Sequence, residues 1–531
     1  MASLSNRNLY LAATVACLTA GLFGYSVGFI GGEIVLPSFL HHFGLDHLSK
    51  HELASARSVT VSAWIVGALI GVPMGMPVCS RLGRRLCLQF AAVLYVVGAV
   101  MQLCSAGNLT LPIPTRTDST ATDNAVTAVD AGRVLNGMGV GAGTLVSPIY
   151  ISEISPASLR GMLMSGYQVF VQAGALIGFW IAFIAQAVLA DESALQWQIP
   201  VSLQLAVGAM LLLGTLLVPE SPRYLAEQGQ HKATEEALSW LRRQASSDPA
   251  FIAELLDIEA AANLNEKLKQ RSFIREVVKP DVRRRLHVGI GLMIAQNMVG
   301  LNALNYYSPV IFMTAGFTSV SASLFLTGLF GLVKLLSALA FMFKFVHVKG
   351  NRFWLELGVA VCAASMFALA YCVHSSAITG DGNPDSSSVT VTGIISVLMV
   401  YIFAFSFGVS LGPLSWNVCA EVFPLHINST CCAITTCTQW AFQIVIAAIT
   451  PPLLAKVGYV TYLIYGGFCV LALLWVFVFV PETRGVGVGK PMEALFGADA
   501  ADEEEAIVEV SETTALLVHD RRRRSSLAAY S

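Results

Sequence analysis

Apolar runs of around 20 residues or more alternate with short polar stretches along this chain. They fall near residues 9–36, 61–79, 87–104, 129–150, 162–188, 199–218, 286–313, 319–345, 353–374, 391–418, 429–455 and 460–480. Each is about the length an α-helix needs to cross the hydrocarbon of a bilayer. Lipid offers no partner to a free backbone N–H or C=O, so helices are the expected form. The polar stretches carry a repeat. SEISPASLRG around Glu153 returns as AEVFPLHINS around Glu421, RLGRR from Arg81 returns as VKGNR from Val348, and PESPR from Pro219 returns as PETRG from Pro481. The offsets are 268, 267 and 262 residues, so one duplication accounts for all three. The expectation is an all-α membrane protein of twelve transmembrane helices, in two pseudo-symmetric six-helix halves. Parallel halves of this kind hold a substrate between them near the bilayer midplane.

The boundaries follow from the same pattern: an N-terminal half over 1–218, a polar insert over 219–285, a C-terminal half over 286–480, and a tail over 481–531. The first run is long and glycine-interrupted with no small-residue cleavage site after it, so it reads as a span and not as a signal peptide. Lysine and arginine give the orientation, because cytoplasmic loops keep the excess positive charge. Arg81, Arg84, Arg85, Arg160, the stretch from Arg223 to Arg285, Lys349, Arg352, Arg484 and Arg521 to Arg524 lie on one side; Lys50, Arg57, Arg116 and Lys456 lie on the other. Both termini are therefore expected in the cytoplasm. The insert carries helical patterns such as ATEEALSWLRR, and Asp248-Pro249 is a helix-start signal, so a small cytoplasmic helical module is expected there.

Composition agrees: 55% of residues are hydrophobic and 12% charged, with a mean hydropathy of +0.66, outside the range of soluble globular chains. The net charge of −2 averages over a sided molecule and says nothing about partners. Most of the 11 cysteines lie within apolar runs and lack metal-ligand spacing, which favours inert buried thiols. No catalytic constellation is recognised; neither an enzyme, a cofactor, a metal site nor a nucleic-acid partner is expected.

The motifs, in order, are FGYSVG at Phe23, RLGRR at Arg81, GRVLNGMGVG at Gly132, PIYISEISPASLRG at Pro148, YQVFVQAG at Tyr167, PESPRYL at Pro219, QNMVGLNALNYYSP at Gln296, GPLSWNVCAEVFP at Gly412 and PETRG at Pro481. From about Gly24 to Gly497 the chain resembles the sugar porter family of the major facilitator superfamily, which includes glucose transporters and fungal monosaccharide, polyol and quinate permeases. The resemblance implies sugar-contacting positions at Gln168, Gln296, Asn297, Asn302, Trp416, Trp440 and Gln443, with Phe23 lining the cavity and Tyr306 and Tyr307 closing it toward the outside. Amides suit a polyhydroxyl substrate because each offers two donors and an acceptor, and indole rings cover the apolar faces of a pyranose. Charges at the cytoplasmic helix ends, Arg81, Arg84, Arg85, Glu153, Arg160, Glu220 and Arg223, with Glu421, Glu482 and Arg484 in the second half, form a latch expected to tie the halves together when that side is closed.

Departures from the family pattern set the open questions. Ser26 stands where proton-coupled members have aspartate, which puts simple proton symport in doubt. Glu33, seven residues on, lies about 10 Å along the same helix face and is a displaced carrier of a coupling proton or an ordinary interfacial glutamate. Arg133 in GRVLNG neighbours that region and pairs with Glu33 or with no charge at all. Lys334 either holds a substrate carboxylate, is paired to a protein carboxylate, or snorkels toward an interface. Ser80 replaces an aspartate, and His426 and Asn428 stand where arginines are usual, so the second-half latch is expected to be the weaker, with a bias toward an inward-open state. In the tail, Glu512, Leu516 and Leu517 fit a sorting-adaptor signal, Arg521 to Arg524 precede Ser525 and Ser526 as a basophilic kinase site would, and the alternative is a solvated disordered segment. Asn108-Leu109-Thr110 is a glycosylation acceptor on the expected outer loop. The reading is a secondary transporter of a monosaccharide or polyol, possible proton coupling included, most simply in the plasma membrane. The alternatives are a permease for a hydroxylated carboxylate and a non-transporting nutrient sensor, against which the short tail argues.

Overall fold

The computed structural model describes residues 6–43, 45–47, 49–105, 121–191, 193–244, 248–269, 273–314, 317, 319–379, 391–424 and 427–483. Among these residues the regular structure is helical. The first half contains α1 (Arg7–Glu33), α2 (Lys50–Arg81), α3 (Arg84–Cys104), α4 (Ala121–Ile154), α5 (Ala157–Val188) and α6 (Leu195–Leu217). The second contains α7 (Pro280–Met298), α8 (Leu301–Thr314), α9 (Val320–Ala340), α10 (Asn351–Thr379), α11 (Val391–Gly408), α12 (Leu411–Glu421), α13 (Asn428–Val457) and α14 (Val460–Phe479).

Eleven helical stretches among the described residues are long and apolar enough to span a bilayer, one of them the joined pair α11 and α12. The seventh apolar run is the exception to the continuous helix expected of it. It breaks at Gly300, whose φ of 96° is the left-handed conformation that glycine adopts at no steric cost, and leaves α7 and α8 as two shorter helices. With that broken segment counted as one crossing, the twelve runs each have their helix. The faces turned outward are apolar, as at Leu213, Ile394, Leu471 and Phe477, each more than half exposed, which is the surface a lipid-facing bundle needs.

Without a hydrophobic force between helices in lipid, close approach of small residues does the packing. Gly67 and Gly71 of α2 lie on the backbone of α4 at Val134 and Met138, while Gly137 and Gly141 of α4 lie on Trp64 and Ala68 of α2; an added Cβ at any of the four would collide with main chain. Gly24 and Gly28 of α1 meet Val171 and Ala175 of α5 in the same way. The halves touch along α5 and α9, along α2 and α13, and where α8 crosses α1. Between the halves, helices Pro222–Glu227, His231–Arg242, Pro249–Lys269 and Phe273–Val278 form the insert. It docks on the first half: both terminal nitrogens of Arg242 donate to the Ile154 carbonyl at the end of α4, each at 3.1 Å, and Asn8 donates to the Trp240 carbonyl.

Candidate substrate cavity and charge clusters

A cavity lies where the two halves meet. Its volume is about 460 Å³, the open solvent at its mouth included. The two breaks feed it: α7 ends and α8 begins there, and α11 gives way to α12 at Val409–Ser410 beside it. Beside the second break Gln296 Nε2 donates to the Leu411 and Gly412 carbonyls in the first turn of α12, at 3.2 Å each, and so ties α7 to α12. Broken helices are tolerated at membrane depth where they are buried in protein or line a cavity.

Of the side chains named from sequence, Phe23, Gln168, Gln296, Asn302, Lys334 and Trp416 line the cavity. Asn297 stands behind the wall, donating to Gln439 Oε1 at 2.6 Å and accepting from Asn302 Nδ2 at 2.7 Å. Trp440 is fully buried; its Nε1 donates to Thr144 Oγ1 across the seam at 3.2 Å, and its ring packs on Phe23 and Trp64 with centroids 5.1 and 5.4 Å away. Gln443 donates to the Tyr306 hydroxyl. Three further polar residues line the cavity that the sequence reading passed over: Gln172, Asn305 and Gln439. Gln172 follows Gln168 by four residues and Asn305 follows Asn302 by three, spacings that place each pair on one helix face. The oxygens Gln172 Oε1 and Gln296 Oε1 are buried without a hydrogen-bond partner in the protein, which leaves two acceptors for hydroxyl donors.

At the end of the cavity away from the charge clusters, Tyr306 and Tyr307 are buried. Tyr307 donates to the Ala447 carbonyl of α13 at 3.0 Å, and the backbone of α8 at Asn305 and Tyr306 rests against Gly31 of α1. The tyrosines therefore hold α8 over the cavity on that side. Nearby, Ser26 shares a hydrogen bond with the Tyr95 hydroxyl at 2.9 Å, so this position is a satisfied neutral contact. Glu33 is 3% and Arg133 2% exposed, yet no ion pair within 4.0 Å joins them. Arg133 Nε donates instead to the Thr60 carbonyl at 2.7 Å, its guanidinium faces the Phe29 ring, and its Nη2 has no partner.

The opposite end holds the charge clusters. Arg84 grips Glu153 through two nitrogens, Nη2 to Oε1 at 2.8 Å and Nε to Oε2 at 3.0 Å, and its guanidinium lies over the Tyr224 ring. Glu220 accepts from the backbone N–H groups of Arg84, Arg85 and Ser221 at 2.9, 3.0 and 2.9 Å, capping α3. Burial pushes its carboxyl above the ordinary carboxylate value, against the opposing pull of those three donors. Tyr224 donates to the Arg81 carbonyl at 2.7 Å. In the second half Glu482 repeats the cap, accepting from the backbone N–H groups of Asn351 and Arg352 at 2.9 and 3.3 Å. The glycines of the two motifs explain themselves here: a Cβ at Gly83 or Gly350 would run into the Glu220 or Glu482 carboxylate.

These contacts lie within one half each, where the sequence reading had the charges tying the halves together. The exception is Arg160 of α5, which faces Glu421 of α12 across the seam and is the one charged group among the described residues that acts on that carboxylate; one turn away, Asn417 donates to Ser165 Oγ at 3.4 Å. The two do not reach 4.0 Å. Arg223 faces Arg160 as a like charge. The asymmetry has a simple origin. The position equivalent to Arg84 is Asn351, which binds Thr483 Oγ1 at 2.9 Å and cannot neutralise Glu421 as Arg84 neutralises Glu153. Arg484, His426, Asn108 to Thr110 and the whole tail with Glu512, Leu516 and Leu517 lie outside the described residues.

Two pseudo-symmetric bundles around a polar cavity, with charged clusters at one end and tyrosines over the other, define a secondary transporter of the major facilitator type. The Sugar (and other) transporter family matches residues 12–493, and the chain belongs to it. Among curated proteins it is similar to a probable quinate permease of Neosartorya fischeri, 30% identical over 92% of this chain and 88% of that one, and to the quinate permease of Emericella nidulans, 31% identical over 92% and 89%. Among solved structures, the proton:xylose symporter XylE bound to 6-bromo-6-deoxy-D-glucose matches with a TM-score of 0.77 at 27% identity, covering 93% of this chain and all of that one. The inward-open conformation of XylE from E. coli matches less well, at 0.67 with 26% identity, over 92% and 100%. The chain therefore stands nearer the sugar-bound arrangement than the inward-open one.

Proposed function

We propose that this transporter carries a single-ring, polyhydroxylated solute across the plasma membrane, its access alternating as the halves rock about the central cavity. The observation that carries this reading is the wall itself: amides from both halves, two with unpartnered oxygens, converge with the Trp416 ring on one enclosed space. Hydroxyl groups satisfy amides of either polarity, and an indole face covers the C–H surface of a ring. The substrates named for the relatives, quinate and xylose, are compounds of this kind. Both termini and the helical insert lie on the cytoplasmic side in this reading, which the distribution of lysine and arginine supports. Glu33 and Arg133 serve proton coupling, as buried ionisable groups within a span commonly do.

The test is initial uptake of labelled glucose and labelled quinate in cells without their own hexose transporters, with the protein confirmed at the cell surface. Saturable uptake of either compound is expected, and an uncoupler abolishes accumulation above the outside concentration. Absence of uptake of both would refute transport of this solute class and leave the sensor reading in its place.

A further inference from the structure

The central cavity contains one ionisable side chain, and no carboxylate among the described residues pairs with it. Lys334 of α9 is 3% exposed and lies near the middle of the membrane span Val320–Phe345, fourteen residues from one end and eleven from the other, too deep to snorkel to an interface. Its Nζ makes one hydrogen bond, to Asn305 Oδ1 at 2.7 Å, and lies 5.7 and 5.2 Å from the ring centres of Phe179 and Phe330. Among the described residues no carboxylate lines the cavity and no ion pair within 4.0 Å reaches Lys334. Both protein-only readings of Lys334, a carboxylate pair and a snorkelling side chain, thus fail on geometry. A buried ammonium without a counter-charge is heavily penalised, and such charges are retained where a ligand supplies the opposite one.

The surrounding amides run in one direction from this charge. Asn305 donates to Asn302 Oδ1 at 3.4 Å, Asn302 to Asn297 Oδ1 at 2.7 Å, and Asn297 to Gln439 Oε1 at 2.6 Å. Each link turns an amide oxygen toward the lysine side and a donor away from it, so the chain of dipoles is aligned by the ammonium and supplies no negative group to it. An ammonium has three protons and Asn305 takes one. The others are available to an acceptor in the cavity, while Gln172 Oε1 and Gln296 Oε1 await donors.

We propose that Lys334 is an anion subsite within the cavity, and that the preferred substrate is a polyhydroxylated ring bearing one carboxylate. The inference rests on the transport reading above and deepens it: hydroxyls fall to the amides and the carboxylate to Nζ. Quinate has this chemistry, as does glucuronate, and each has a neutral counterpart of similar ring size.

The test measures binding of quinate, glucuronate, myo-inositol and glucose to the purified full-length chain in detergent by calorimetry. In the wild type each acid is expected to bind about 30-fold or more tightly than its neutral counterpart, the scale of a desolvated charge pair. Lys334→Gln should close that gap to within about threefold, and Lys334→Arg should keep it. Acids and neutral rings binding equally in the wild type would overturn the subsite and leave the transport reading standing. Retention of the preference in Lys334→Gln would overturn it too. Binding of none of the four would sink both. The wild-type comparison alone decides the matter should either variant fail to fold.

Discussion

An arginine at the second-half position equivalent to Arg84 should unlock the end of the bundle that holds the charge clusters. In the first half Arg84 neutralises Glu153 at 2.8 Å, with side chains only 6% and 12% exposed. Asn351→Arg places a guanidinium at the equivalent position against Glu421, which among the described residues has Arg160 of the other half as its one cationic neighbour. Residues 351 and 421 are both partly exposed, so the new pair is worth about 0.2–1 kcal/mol. It also removes the Asn351 bond to Thr483, a loss of similar size that is the same in every state and cancels from the rocking equilibrium. What does not cancel is the attraction across the seam. Glu421 drawn toward its own half weakens its pull on Arg160 only when the halves are closed, so up to about 1 kcal/mol, roughly fivefold in population, shifts toward the inward-open state. Cys79 of α2 and Cys432 of α13, 1% and 7% exposed and on opposite sides of the seam, are built-in probes. A membrane-impermeant maleimide added to inside-out vesicles should label them several-fold faster in Asn351→Arg, and in Glu421→Gln for the same reason. Unchanged labelling in both variants would refute the view that Arg160 and Glu421 latch the halves.

Three further outcomes are expected. Gly83→Ala, at φ 107° and against the Glu220 carboxylate, should cost about 2–4 kcal/mol from backbone strain and a lost cap, read as a lower unfolding temperature of the purified protein. Glu33→Gln should flatten the pH dependence of uptake and abolish accumulation against a gradient while exchange of substrate across the membrane persists; full accumulation in this variant would exclude Glu33 as the coupling group. Trp416→Ala, which strips the ring face from the cavity wall, should raise the half-saturating substrate concentration by about 5–150-fold, equivalent to 1–3 kcal/mol, with little change in surface expression.

The two-half architecture was legible because duplication leaves a long-range signal that one sequence contains in full, and because helices in lipid must be continuous apolar runs. Pairing within the clusters was not. Each charged motif occurs twice, so arginines and glutamates match equally well within a half or between halves, and only the positions of helix ends decide. The break at Gly300 was hidden in an apolar run, since a glycine at φ 96° looks in sequence like any of the packing glycines. Asn297 was placed in the cavity with its neighbours, whereas a one-residue step turns it about 100° around α7, toward α13 and Gln439. Gln172 and Gln439 each lie four residues from an amide that was singled out, and helical periodicity alone points to them.

An anion subsite at Lys334 would also make the carrier sensitive to voltage. Loaded with an anion, the site is neutral and the loaded step moves no net charge through the bilayer field. Empty and protonated, it would hold a charge at Lys334 with no carboxylate partner among the described residues, and each switch of access would redistribute the membrane field across it. A charge taken through the whole field is worth about 2.3 kcal/mol per 100 mV, so even a fraction of it biases the unloaded return step. An inside-negative membrane would then hold the empty carrier on one side of its cycle, and the substrate's arrival would discharge it.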